Sequence, residues 1–243
     1  YQNILTDEEI NSLSNQIFEK IPKLKNDDNL ENWNESDIFL ISYGDSIVSE
    51  KNKKLKTLKN FFDDFIKPYF NNIHILPFFP FSSDDGFSII DYKKVRDDLG
   101  GWEDISLLSQ DYRLMADIVI NHASRQSEYF KEFLKGSSAY KDFFISLDKD
   151  EGFENVVRPR SSDLFQEMDI GNKKKYLWCT FGHDQIDLNF KNPEVLLFFI
   201  ELIYLYLKNG VKVFRLDAVA FLWKEKGTNC LNLPQTHEVV KLI

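Results

Sequence analysis

Cysteine is scarce in this 243-residue chain: only Cys179 and Cys230 occur, far apart and in no CxxC pairing. That argues against a disulfide-stapled secreted framework, and a reduced, cytoplasmic setting is expected. Positive charge is also short. Lys and Arg number 30 against 39 Asp and Glu, a formal net charge of −9. Such a balance argues against nucleic acid or an anionic membrane as the main partner. No charged-then-apolar signal pattern occupies Tyr1 to Glu9. The longest apolar run, Val195 to Leu207, is broken by Glu201 and falls short of the roughly 20 residues a membrane span needs. Several motif classes are missing too. There is no GxGxxG after a strand and no GxxxxGK[ST], which leaves dinucleotide and P-loop readings without support. There is no GxSxG elbow and no HExxH. The four histidines (His74, His122, His183 and His237) never fall at i, i+4 on one helix. His183-Asp184 with Asp187 could be drawn as a metal site but reads better as a polar loop.

What remains is a bulky, foldable composition. Hydrophobic residues make up 43%, charged residues 28% and aromatics 15%, with 22 Phe. This excludes disordered, collagenous and coiled-coil chains. The length lies near the roughly 250 residues of a complete (β/α)₈ barrel.

The pattern along the chain alternates. Ile38 to Tyr43 suits a buried strand, and Leu55, Leu58, Phe62, Phe65, Ile66 and Tyr69 then recur at helical spacing. Ile73 to Phe79 is a second strand, stopped by Pro77 and Pro80. Trp102 to Leu108 predicts a helix and Leu114 to Ile120 a third strand. Asn192-Pro193 is an N-cap followed by Pro at the first helical position, with Gly210 as the stop. Val211 to Leu216 is a fourth strand, and Thr236 onward starts another helix. Strands alternating with helices predict an α/β fold with a parallel sheet. Residues 6–26 read as an added amphipathic helix. Residues 127–192 break the rhythm: they are polar, carry Arg158-Pro-Arg160 and a Lys173–Lys175 run, and are expected to form an inserted subdomain or functional loop. The Lys run itself reads as a solvated face.

Ligands of parallel α/β proteins bind at the carboxyl ends of the strands. Strand two is followed by Ser82-Ser-Asp-Asp-Gly-Phe-Ser88, strand three by Asn121-His122 with Asp117 inside it, and strand four ends in Phe214-Arg-Leu-Asp217. Arg215 and Asp217, two apart, share one face of their strand. Singly, each has a plain structural reading: Asp117 as a buried hydrogen-bonded residue, His122 as a strand cap, Asp84-Asp85-Gly86 as an ordinary turn, Arg215 with Asp217 as an ion pair. Their conjunction at three successive strand ends is what points to a site.

Asp117-Ile-Val-Ile-Asn-His122 resembles the D-x-x-x-N-H signature of the α-amylase superfamily, glycoside hydrolase family 13. Phe214-Arg-Leu-Asp217-Ala-Val resembles its x-R-x-D-A. Ile75-Leu-Pro-Phe-Phe79, Ser83 to Tyr92, Arg158-Pro-Arg160, Trp178 to Asp187 and Lys224 to Cys230 narrow the resemblance to the sucrose-phosphorylase-like branch. It covers residue 37 to the end. The resemblance implies the N-terminal half of a (β/α)₈ TIM barrel, strands one to four, with an inserted B subdomain after strand three. The division expected is a helical extension over 1–36, barrel units over 37–126, the insert over 127–192, and helix three, strand four and the start of helix four over 193–243.

The implied activity is a retaining α-glucoside phosphorylase moving glucose from sucrose or glucosylglycerate to inorganic phosphate. Asp217 would be the nucleophile carrying the covalent glucosyl group, with Arg215 beneath it favouring the ionised carboxylate. His122 and Asp84 would hold the donor glucose and Phe87 would pack on it. Arg158, Phe181 and Gln185 would approach the acceptor, and Asp117 and Asn121 would be structural. Asn121 matches a calcium-binding Asn of many amylases, an ion this branch generally lacks, so neither metal nor cofactor is expected. Where sucrose phosphorylases carry a Tyr, this chain has Phe221, which removes one polar contact near the acceptor subsite. With Leu233 to His237, that leans towards glucosylglycerate.

The resemblance also places an acid/base Glu after strand five and a second Asp after strand seven. Neither Glu225 nor Glu238 fits the first role. The chain is therefore expected to be an N-terminal piece, inactive by itself and weakly stable, because half a barrel leaves two open sheet edges. A hydrolase or transglucosidase with the same donor site is an alternative, as is a catalytically silent sugar-binding homologue. The intact Asp217, Arg215, His122 and Asp84 count against the last.

Overall fold

The computed structural model describes residues 1, 4–21, 33–170 and 173–243. Its main sheet has four parallel strands in the order β1 (Phe39–Ser42), β2 (Asn72–Ile75), β3 (Arg113–Val119) and β9 (Val211–Asp217). All three pairings are parallel. Each crossover passes through helix: α2 (Lys54–Phe61) with a π-helical turn over Phe62–Ile66, then α3 (Trp102–Ser109), then α5 (Pro193–Lys208). This is the α/β arrangement expected of four successive units of a (β/α)₈ barrel, with the predicted strands in the predicted order.

Local sequence accounts for the element ends. Asn192 accepts from the Glu194 amide and Pro193 stands at the first helical position of α5, where its missing N–H costs nothing. Gly210 follows the helix at φ 92°, a conformation with no penalty for glycine. Thr6 and Glu9 form a capping box at the start of α1 (Asp7–Lys20), which satisfies two orphan amides. Lys20 pairs with Glu201 of α5 and ties this added helix to the sheet layer. Residues 22–26 of the expected helix lie outside the described residues.

The core lies between the sheet and its helices. Ile73, Ile75, Ala116 and Ile118 of the strands are fully or almost fully buried, as are Leu55, Leu58, Ile105, Phe199 and Tyr206 of the helices. Two buried tyrosines brace the end of β3. The Tyr206 hydroxyl donates to the Tyr92 carbonyl at 2.8 Å, and the Tyr92 hydroxyl donates to Val119 O at 2.9 Å and to the His122 carbonyl. Each buried polar tip is thus satisfied, and the backbone carrying His122 is fixed to α5.

The insert is more regular than its sequence predicts. Just before it, β4 (His122–Ser124) pairs antiparallel with β8 (Gln185–Asp187) inside it, and its first helix is α4 (Glu128–Leu134). A second antiparallel sheet joins β5 (Ser146–Leu147), β7 (Lys173–Trp178) and β6 (Phe165–Ile170). The Lys run lies in β7, where Lys174 pairs with Glu167 and Lys175 with Asp148 at 2.6 Å. The β6–β7 ladder runs over six residue pairs, with Met168 and Ile170 packed against the core and the Lys174–Glu167 pair on its other face. Finally, α6 (Pro234–Leu242) begins two residues before the expected Thr236, with Pro at its start.

Candidate active site

The parallel register builds the site. Asp117 of β3 lies opposite Arg215 of β9, and Val119 opposite Asp217. His74 of β2 lies opposite Met115, two residues before Asp117. Side chains two apart share a face, so His74, Asp117, Arg215 and Asp217 all stand on one side of the sheet.

Arg215 is the junction. Its Nη1 donates to Asp117 Oδ1 and lies 3.0 Å from Asp217 Oδ1. The other oxygen of Asp117 receives His74 Nε2 at 2.7 Å, and Asp117 itself is wholly buried. The Phe87 ring sits 5.6 Å below the Arg215 guanidinium, near enough for a cation–π contact. Burial works against the Arg215 charge, but Asp117 and then Asp217 outweigh it and raise its pKa. For Asp217 the balance differs. Burial raises its carboxyl above the usual range, against the pull of Arg215. The arginine favours the ionised carboxylate but offsets desolvation only partly. After Asp217 the chain turns through Ala218 at φ 56°, lifting the following residues off the sheet line.

The turn after β2 is tight. Asp84 and Asp85 adopt φ 56° and 49°, a region Asp enters more readily than most residues. Gly86 follows at φ 107°, and a Cβ there would stand 3.0 Å from Pro77; only glycine satisfies both conditions. This turn brings the Phe87 carbonyl 2.9 Å from His122 Nε2. On the other side of the ring, Asn121 Nδ2 lies 3.4 Å from Nδ1. Both contacts agree with a neutral imidazole protonated at Nε2. Burial lowers the His122 pKa, which favours that neutral form.

The insert supplies a second wall. Gln185 Nε2 donates to Asp84 Oδ2 at 2.9 Å and stands 3.1 Å from the protonated His122 Nε2 as a packing neighbour, not a hydrogen-bond partner. The Phe181 ring packs 5.0 Å from His122 and 5.3 Å, edge-on, from Phe221. Asp84, Phe87, His122, Phe181, Gln185 and Phe221 thus form one linked set beside the Arg215–Asp217 pair. Arg158 does not join it. Its guanidinium donates to the backbone carbonyls of Ser162, Asp163 and Cys179, which braces the loop instead of approaching an acceptor. Arg160, two residues on, is the one that reaches Asp84, at 3.6 Å, with about half of its side chain exposed.

A family model described as the alpha amylase catalytic domain matches residues 64–242. The chain belongs to this family. Over 207 residues it is 44% identical to a glucosylglycerate phosphorylase of Spirochaeta thermophila, covering 85% of this chain and 35% of that relative. To a sucrose phosphorylase of Streptococcus mutans it is 36% identical, covering 79% of this chain and 41% of the other. Its fold is similar to the crystal structure of sucrose 6F-phosphate phosphorylase from Thermoanaerobacter thermosaccharolyticum. There the TM-score is 0.79 at 31% identity, with 87% of this chain and 46% of the other covered. The chain thus spans less than half the length of the relatives it matches.

A buried lysine to which the sequence assigns no role stands beside the site in this member of the family. Lys224, in a Lys-Glu-Lys stretch, has only 5% of its side chain exposed and lies 2.7 Å from the fully buried Asp187. Its Nζ also donates to Asn121 Oδ1 at 2.7 Å and to the Phe221 carbonyl. Asp187 accepts further from Asn121 Nδ2, the Thr180 amide and the Thr180 hydroxyl, at 2.9, 2.9 and 2.6 Å. The ammonium therefore joins the end of β3, the insert and the segment after β9. Burial lowers its pKa, opposed by Asp187. Asn121, the residue that matches a calcium-binding Asn in the sequence, accepts here from Lys224. Among the described residues no three His, Cys, Asp or Glu side chains are disposed to hold a metal ion. None of their helices is long and apolar enough to cross a membrane.

The two glutamates weighed for the acid/base role are engaged elsewhere: Glu225 with Lys191 at 3.0 Å and Glu238 with Lys241 at 2.8 Å. A cavity of about 520 Å³ opens between the insert and the segment after β9, but its lining contains none of Asp84, His122 and Asp217. The candidate site is an arrangement at strand ends, separate from that cavity.

Proposed function

We propose that this chain carries the donor-sugar site of a retaining α-glucoside phosphorylase, with glucosylglycerate as the preferred donor and sucrose as its competitor. The observation that carries the reading is the Asp217 carboxylate at the carboxyl end of β9, its side chain only 18% exposed and one oxygen 3.0 Å from Arg215. A carboxylate held this way is desolvated enough to attack and paired enough to ionise. In the proposed reaction Asp217 attacks the anomeric carbon while a carboxylic acid protonates the departing oxygen. Phosphate oxygen then displaces Asp217 and releases α-glucose 1-phosphate. Asp84 and His122 would orient the sugar, Phe87 would pack against it, and Phe181, Gln185 and Phe221 would border the acceptor. The higher identity to the glucosylglycerate phosphorylase than to the sucrose phosphorylase supports the preference.

The test uses the protein expressed from its complete gene, incubated with inorganic phosphate and either sugar. Phosphate-dependent α-glucose 1-phosphate, faster from glucosylglycerate and abolished by Asp217→Asn, is the expected result. Free glucose released at the same rate without phosphate would make the enzyme a hydrolase.

A further inference from the structure

His74 has no role in the proposed reaction, yet it ends the hydrogen-bond chain that begins at Asp217. We infer that His74 is a positioning residue: by holding one oxygen of Asp117 it fixes the arginine that faces the nucleophile. The inference rests on Asp217 being that nucleophile.

The carboxyl torsion of Asp117 is of the broad sp³–sp² kind, so the backbone alone sets the plane of its two oxygens only loosely. The group is fully buried, and a buried carboxylate must have both oxygens satisfied. Two donors on opposite sides divide it, His74 Nε2 on Oδ2 at 2.7 Å and Arg215 Nη1 on Oδ1. His74 can serve as the fixed point because it is itself only 3% exposed and lies in β2 between Ile73 and Ile75, both buried. Arg215 is the weaker fixed point, since its guanidinium reaches Asp117 on a long side chain with several rotatable bonds. Constraint therefore passes from the imidazole to the carboxylate, then to the guanidinium, and from there to Asp217 Oδ1 at 3.0 Å. If the imidazole donor is removed, Asp117 can rotate and offer Arg215 either oxygen. The charge opposite Asp217 is then no longer held in one place. Contacts to the sugar from Asp84 and His122 do not run through this chain of bonds, so binding should be spared.

The test compares His74→Leu, which has no donor, with His74→Gln, whose amide nitrogen reaches about as far as Nε2. Both are made in the protein expressed from its complete gene, beside Asp217→Asn. For His74→Leu a kcat lower by roughly 10–100-fold is expected, the scale of a small misplacement of a catalytic group. Its KM for the sugar donor should stay within about two-fold, as for an interaction made only in the transition state. His74→Gln should regain most of the loss. In a crystal structure of His74→Leu the Arg215–Asp217 contact should lengthen, and in His74→Gln it should not. A His74→Leu enzyme with wild-type kcat, or with KM and kcat falling together and no rescue by Gln, would overturn the inference. Should His74→Leu not fold, His74→Asn, with a shorter-reaching donor, replaces it under the same criteria. If Asp217→Asn keeps its activity, the proposed function itself fails. The crystallographic comparison then decides the His74 linkage without reference to turnover.

Discussion

Lys224→Met removes the ammonium that joins Asn121, Asp187 and the segment after β9 while nearly preserving side-chain volume. Breaking a buried pair from one side costs about 3–5 kcal/mol, because the surviving charge stays buried. Asp187 retains three donors, from Asn121 and Thr180, which places this case at the lower end, about 3 kcal/mol. For a domain of this size each kcal/mol moves the melting temperature by about 2–4 °C, so a fall of roughly 6–12 °C follows. Thermal melts followed by circular dichroism, with urea midpoints as a second measure, would read it. Adding Asp187→Asn should restore part of the loss, because the stranded charge then disappears while one carbonyl oxygen still accepts. A Lys224→Met protein melting within about 2 °C of wild type would refute the reasoning, since even about 1 kcal/mol should shift it that far. A double variant less stable than the sum of its parts would also refute it.

Other outcomes are open to measurement. Arg158→Ala should lower the melting temperature, by an amount set by three backbone carbonyls losing a charged donor at about 1.5–3 kcal/mol for such a bond. Arg160→Ala should leave it unchanged and instead alter steady-state kinetics; equal effects on stability would refute the distinction. Two ammonium groups, Lys59 and Lys67, each 2.6 Å away, hold the Asp111 carboxyl at about 2. A depressed folded-state pKa gives stability that is present above the unfolded value, about 3.9, and lost as pH falls through the folded one. Urea midpoints of wild type and Asp111→Asn should therefore differ above about pH 4 and converge towards pH 2; a gap independent of pH would count against it. The 243-residue chain by itself should turn over neither sugar, because a retaining mechanism needs a second carboxyl about 5–5.5 Å from the first. Phosphorolysis by that chain alone would contradict this.

Much of this architecture is legible in the order of the amino acids. The strands around Ile73, Leu114 and Val211 follow from short apolar runs. The bounds of α5 follow from the Asn192-Pro193 start and the Gly210 stop, which are local chemistry. The conjunction of Asp84, His122, Arg215 and Asp217 is legible because parallel strands deliver their carboxyl ends to one side. The antiparallel pair β6 and β7 was not legible, since the backbone ladder that extends two such polar segments forms only when they meet. Nor was the choice between Arg158 and Arg160. Both read as exposed cations, and only the carbonyls of Ser162, Asp163 and Cys179 decide which one turns away from the site.

The sequence by itself determined the alternating elements, the family signatures and the strand ends where chemistry would gather, because periodicity, caps and short motifs are written within a few residues. Tertiary structure alone decided which polar side chains are buried and what each one faces. Lys224 looks like a solvated lysine until Asp187 meets it, and His74 looks like one more strand residue until β3 brings Asp117 to its ring. Burial makes a charge costly unless a partner satisfies it, and such partners come from distant parts of the chain, so only the folded arrangement could assign them.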